Sequence, residues 1–114
     1  MSFSLTFTLK IYNEDRQLVG QIDSLGGNSQ LTLTNNGNYR FDYILNGNKD
    51  FNLNSYIIKD ADSNDILYED SVNTQVAANT DYTISKNRTI TTSQTGTVTV
   101  NEKMICDITV SESE

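Results

Sequence analysis

Histidine is missing from this chain, and with it the commonest general base. Ser-His-Asp and Cys-His arrangements cannot be built without it. A single cysteine, Cys106, leaves no partner for an intramolecular disulfide. One thiol without imidazoles also falls short of a zinc site. Cys106 lies in Met104-Ile105-Cys106-Asp107-Ile108, an apolar setting that predicts a buried, inert thiol. No glycine-rich phosphate loop is present, since Gly26-Gly27 stands alone with no Lys-Ser or Lys-Thr after it. These absences argue against an enzyme and call for no cofactor. Basic residues are also few: eight Lys and Arg stand against fifteen Asp and Glu, for a net charge of −7. Phosphate contacts need clustered Lys and Arg, so no nucleic acid is expected as a partner. An anionic membrane surface is disfavoured for the same reason. No apolar run approaches spanning length, so no membrane insertion is expected. The opening Met1-Ser2-Phe3-Ser4-Leu5 has neither a basic segment nor a long apolar one. It is not a signal peptide, which points to a cytoplasmic or non-classically secreted protein. Proline is absent as well, so sheet edges must be blunted by charge, bulges or a partner.

What the chain does have is alternation. Phe3, Leu5, Phe7, Leu9 and Ile11 alternate with Ser4, Thr6, Thr8, Lys10 and Tyr12. A period of two is the pattern of a strand with one buried face. Leu5 and Leu9 also stand four apart, so a short N-terminal helix is the alternative; β-branched Thr6 and Thr8 favour strand. Further short runs follow at 18–22, 31–34, 39–45, 51–59, 66–69, 82–84, 97–100 and 103–110, separated by Asn, Gly, Asp and Ser. Asn36-Gly37 and Asn46-Gly47 predict hairpin turns, because both residues tolerate positive φ. A polar turn at 60–65 predicts a hairpin between its two flanking runs. Leu25-Gly26-Gly27-Asn28 reads as a break, 72–78 could hold one helical turn, and 111–114 reads as a frayed tail. The 114 residues form one domain, 1–114, with about eight or nine strands. The expected fold is all-β, a two-sheet sandwich. Tyr39, Phe41, Tyr43, Tyr56, Tyr68 and Tyr82 are expected in or beside its core.

Asp60, Asp62 and Asn64 stand at alternate positions, as the first ligands of a calcium loop do. The pattern then fails. Asp65 replaces the glycine of the sharp turn, and Ser71 replaces the closing bidentate glutamate. A plain turn explains the same residues, leaving Asp60, Asp62, Asn64 and Asp65 as weak metal candidates. Asn87-Arg88-Thr89 is the one N-glycosylation sequon. Fourteen asparagines, with many Ser and Thr, make the polar surface one of amides and hydroxyls. Such groups, beside an exposed aromatic ring, suit a neutral polyol such as a sugar.

Three stretches resemble the fungal immunomodulatory proteins, the Fve-type lectins. Ser4-Leu5-Thr6-Phe7-Thr8-Leu9 is similar to that family's N-terminal Ser-Leu-Thr-Phe-x-Leu segment. Tyr39-Arg40-Phe41-Asp42-Tyr43-Ile44-Leu45-Asn46-Gly47 resembles its Tyr-x-Tyr-Arg-Val-x-Val-x-Gly strand and turn. Asn54-Ser55-Tyr56, Ile66-Leu67-Tyr68-Glu69 and Ala78-Asn79-Thr80 follow in the family's order. The chain departs from it in lacking tryptophan and in carrying Cys106. The resemblance implies an immunoglobulin-like or fibronectin-III-like sandwich, a homodimer joined through the N-terminal segment, and binding of a glycan or cell-surface glycoprotein. Residues 1–12 would then be a dimerisation arm, with Phe3, Leu5, Phe7 and Leu9 as its contacts. Carbohydrate contacts are expected from Asn36, Tyr39, Asn46, Asn48, Asp62, Asn64 and Tyr68, with Tyr68 or Tyr39 stacking on the sugar. The competing expectations are a protein-interaction or self-assembly module and a calcium-dependent adhesion domain.

Overall fold

A computed structural model describes residues 2–23, 30–91, 96 and 98–110. Nine strands run through them: β1 (Leu5–Tyr12), β2 (Leu18–Ile22), β3 (Leu31–Leu33), β4 (Gly37–Gly47), β5 (Phe51–Asp60), β6 (Ile66–Val76), β7 (Tyr82–Ile90), β8 (Val98–Val100) and β9 (Glu102–Val110). No helix occurs among the described residues. The expected helical turn at 72–78 is corrected. Val72, Thr74 and Val76 alternate toward the core, and β6 continues through Val76 opposite Phe51. The expected break at 25–28 and tail at 111–114 lie outside the described residues.

The strands form a sandwich. One sheet has the order β2-β1-β4-β7, the facing sheet β6-β5-β9, and a short β3-β8 pair makes a third. All pairings are antiparallel. The alternating apolar residues point into one shared core. Leu9 and Ile11 from β1, Phe41, Tyr43 and Leu45 from β4, and Phe51, Leu53 and Ile58 from β5 are all fully buried. Leu33 and Val100 carry the small β3-β8 pair into the same cluster. Each such side chain contributes roughly 1.5–3 kcal/mol by leaving water.

The hairpin expected at 60–65 is present: β5 and β6 pair through it. The two Asn-Gly hairpins are corrected. β3 pairs with β8 rather than β4, while β4 and β5 belong to opposite sheets. A type I′ turn needs both residues in the left-handed region, but Gly37, at φ 153°, is already the first residue of β4. Gly47 serves close approach instead. A Cβ there would meet the Phe51 ring at 2.9 Å and the Phe3 ring at 3.1 Å.

Residues 3–12 lie within the chain's own sandwich. Phe3 meets Phe51 edge-on at 5.7 Å, and Leu5 and Phe7 pack against the core that holds Leu9. Asn48 ties the preceding residues down. Its Oδ1 accepts the Ser4 N–H at 2.8 Å, and its Nδ2 donates to the Ser2 carbonyl at 2.8 Å. β1 thus stands as an interior strand between β2 and β4.

Candidate functional site

Two turns approach each other at one end of the sandwich. The first joins β1 to β2 and is shaped by Asn13. Its Oδ1 accepts the N–H groups of Asp15 at 2.9 Å and Gln17 at 3.0 Å, and its Nδ2 donates to Gln17 Oε1 at 3.1 Å. These bonds spend the Asn13 amide and present Glu14 and Asp15 outward. The second turn, between β3 and β4, carries Thr34, Asn35 and Asn36. Glu14 reaches across to it, where its Oε2 accepts the Asn38 N–H at a long 3.4 Å. A Cβ on Gly37 would stand 3.0 Å from that same oxygen, so glycine here lets the two turns come together.

Between the turns lies a cleft of about 240 Å³. Leu33 and Tyr39 are buried beneath it, and Val19, 41% exposed, supplies an apolar rim. The Asp15 carboxylate, the Asn35 side-chain amide and the Thr32 and Thr34 hydroxyls line the cleft. None of these four groups is hydrogen-bonded to another described residue. Carboxylate oxygens accept strongly from hydroxyl donors, and an amide both donates and accepts. The cleft is therefore a hydrogen-bonding site of negative sign.

The seven expected sugar contacts do not share one site. Asn36 and Tyr39 line this cleft. Tyr39 is only 6% exposed and its hydroxyl donates to the Asn35 carbonyl at 2.7 Å, so it forms a floor and not a stacking platform. Asn46 and Asn48 lie at the other end of the eleven-residue β4, roughly 30 Å away at strand rise. Asn46 Nδ2 donates to Asp81 at 2.8 Å, and Asn48 holds the N-terminal segment. Asp62 and Asn64 sit in the β5–β6 turn. There Asp62 accepts from Asn101 Nδ2 at 3.0 Å, and Asn64 takes φ 67°. Tyr68 lies half-buried between the sheets, edge-on to Tyr43 at 6.3 Å.

The metal candidates form a turn. Asp60 Oδ1 accepts the N–H groups of Asp62 at 2.8 Å and Ser63 at 3.1 Å, and the Asp65 carbonyl accepts the Asp60 N–H. Among the described residues, no three Asp, Glu, His or Cys side chains gather as metal ligands would. Burial pushes the Cys106 thiol up to about 12, far from thiolate character at neutral pH.

One polar group is absent from the expectations above. Glu102, 4% exposed, sits between the sheets and accepts from the Tyr43 hydroxyl at 2.6 Å. Arg88 forms an ion pair with its other oxygen and lies 4.5 Å from the Phe41 ring centroid. Lys86 Nζ stands 5.2 Å from the Tyr68 ring and 5.8 Å from that of Tyr56. Burial lowers the Arg88 pKa, but the Glu102 charge and hydrogen bond outweigh it and leave it raised. Burial, and then the Glu102 charge, push the Tyr43 hydroxyl well above the usual tyrosine range. The signal was strand parity. Lys86 and Arg88 share the inward face of β7 with Ile84, and Glu102 shares that of β9 with Met104.

No family model matches this chain, and neither a curated protein nor a solved structure matches it. The likeness to the fungal immunomodulatory proteins therefore rests on the quoted stretches alone.

Proposed function

We propose that this protein binds a neutral carbohydrate, without turning it over, in the cleft between the β1–β2 turn and the β3–β4 segment. The observation that carries the reading is the set of polar groups there that bond no other described residue: the Asp15 carboxylate, the Asn35 amide and the Thr32 and Thr34 hydroxyls around one cleft of about 240 Å³. Such donors and acceptors beside an apolar rim match the hydroxyls and C–H face of a sugar ring. Val19 takes the place that stacking by Tyr39 was expected to fill. Glu14 and Asp15 favour hydroxyl donors and repel anionic sugars.

A glycan array followed by NMR titration of the best neutral hit tests this. Losing a hydrogen bond to a charged acceptor weakens binding roughly tenfold or more, so Asp15→Ala should show that loss and Thr34→Ala a smaller one. Binding to no neutral glycan, or binding indifferent to both substitutions, overturns the proposal.

A further inference from the structure

In the two larger sheets four strands stand at edges: β2 and β7 in one, β6 and β9 in the other. Three carry devices that discourage pairing. β2 is five residues long and joins β1 through a register shift. β7 points Lys86 and Arg88 inward. β6 meets β5 through two register shifts and carries adjacent acids at Glu69 and Asp70. From Lys103 to Asp107, β9 has no register shift and no inward charge, and its two outward charges are opposite in sign. It pairs with β5 without a shift from Ser55 to Asp60, and among the described residues nothing pairs its other edge.

Its outward-facing side chains carry a pattern. Lys103, Ile105 and Asp107 share the outer face, and Ile105 is 46% exposed. Ile57 lies beside Ile105 on β5. Lys59 lies directly opposite Lys103, a like-charge pair that is unfavourable across strands. No carboxylate within the chain forms an ion pair with either lysine among the described residues.

We propose that β9 pairs antiparallel with β9 of a second copy, about a two-fold axis at Ile105. Residues facing across such an axis have numbers that sum to twice 105. Ile105 then meets the partner's Ile105, and Lys103 meets the partner's Asp107, once on each side of the axis. The outer face gains an apolar stripe running Ile57, Ile105, the partner's Ile105 and the partner's Ile57. The strained Lys59–Lys103 pair gains a carboxylate. A two-residue spacing of charge, isoleucine and opposite charge on one face is self-complementary in this register and in no neighbouring one. The inference is independent of the sugar-binding reading.

Sedimentation velocity across a concentration series tests it on the full chain. Wild type should show a concentration-dependent dimer. Asp107→Lys should weaken it roughly tenfold or more, since two opposite-charge pairs become like-charge pairs. Lys103→Asp with Asp107→Lys restores both pairs with the signs exchanged and should restore the dimer. In a Cys106→Ser background, Ile105→Cys should form a disulfide-linked dimer on mild oxidation, because facing residues lie about 4.5–5.5 Å apart between Cα atoms. A monomer at every concentration overturns the proposal. So does a dimer that is unmoved by Asp107→Lys and not cross-linked through Ile105→Cys.

Discussion

Glu102 is the residue whose loss should be felt most. It is buried, and both its oxygens are engaged, one by Tyr43 and one by Arg88. Removing one member of such a pair strands the other without water, at a cost of about 3–5 kcal/mol. Arg88→Met strands the almost enclosed Glu102 carboxylate, and Glu102→Met unpairs both Arg88 and the Tyr43 hydroxyl, so each variant should lose stability within that range. Replacing both by methionine should cost less than the sum of the two, which urea denaturation of all three variants will read. Additive losses would mean that the pair is not coupled. The same cluster sets an alkaline limit. The ordinary tyrosine value is 10.0, and Tyr43 in the folded chain lies well above it. Below pH 10 both states hold that proton and stability is unaffected. Above it the unfolded chain releases the proton and the folded chain does not. Stability should then fall with rising pH at about 1.4 kcal/mol per unit for this group. Alkaline denaturation followed by tyrosinate absorbance checks it: one tyrosine should ionise only together with unfolding.

At the scale of elements, the β5–β6 turn decides between two readings of the same acids. Asp60 folds its carboxylate back onto the N–H groups of Asp62 and Ser63, which uses the oxygen a cation would need. Millimolar calcium should leave the melting temperature unchanged, whereas a bound ion would raise it by mass action. A clear rise would restore the calcium reading. This hairpin was legible beforehand, as was β1, because in both the period of two and the turn chemistry agree. The Asn-Gly steps misled for a physical reason. Local turn preference cannot say whether flanking strands pair with each other, and here Leu33 and Tyr43 enter the core from different sheets. The candidate site was legible only in part. Asn36 marked the cleft, but Asp15, Thr32 and Thr34 reach it through a long-range meeting of two turns that no local pattern encodes. Asn46 and Asn48 look alike in sequence, yet their amides are consumed by Asp81 and by the N-terminal segment.

On the whole-molecule scale, net charge competes with the proposed strand pairing. Two copies each carry −7. The molecule measures 55 × 29 × 23 Å, so edge-to-edge centres lie roughly 30 Å apart. In water the unscreened repulsion is about 7 kcal/mol at that distance. Screening leaves about 2.5 kcal/mol of it at 0.01 M salt and only about 0.2 kcal/mol at 0.15 M. The Lys103–Asp107 pairs act at contact distance, well inside the screening length at either salt, and lose much less. Repulsion between whole chains therefore wins the salt dependence. Dimerisation should tighten by roughly thirtyfold between 0.01 M and 0.15 M salt, the opposite sign to an interface governed by its ion pairs alone. Asp107→Lys separates the two effects, because it reduces the net charge from −7 to −5. If whole-chain repulsion were the only electrostatic influence, that variant would associate more tightly than wild type. If the register at Ile105 is correct, it associates more weakly despite the smaller charge. The doubly exchanged variant keeps −7 and should reproduce both the wild-type affinity and its salt dependence. Sedimentation at two salt concentrations on these three chains reads all of this, and a dimer that weakens as salt rises would remove the argument from net charge.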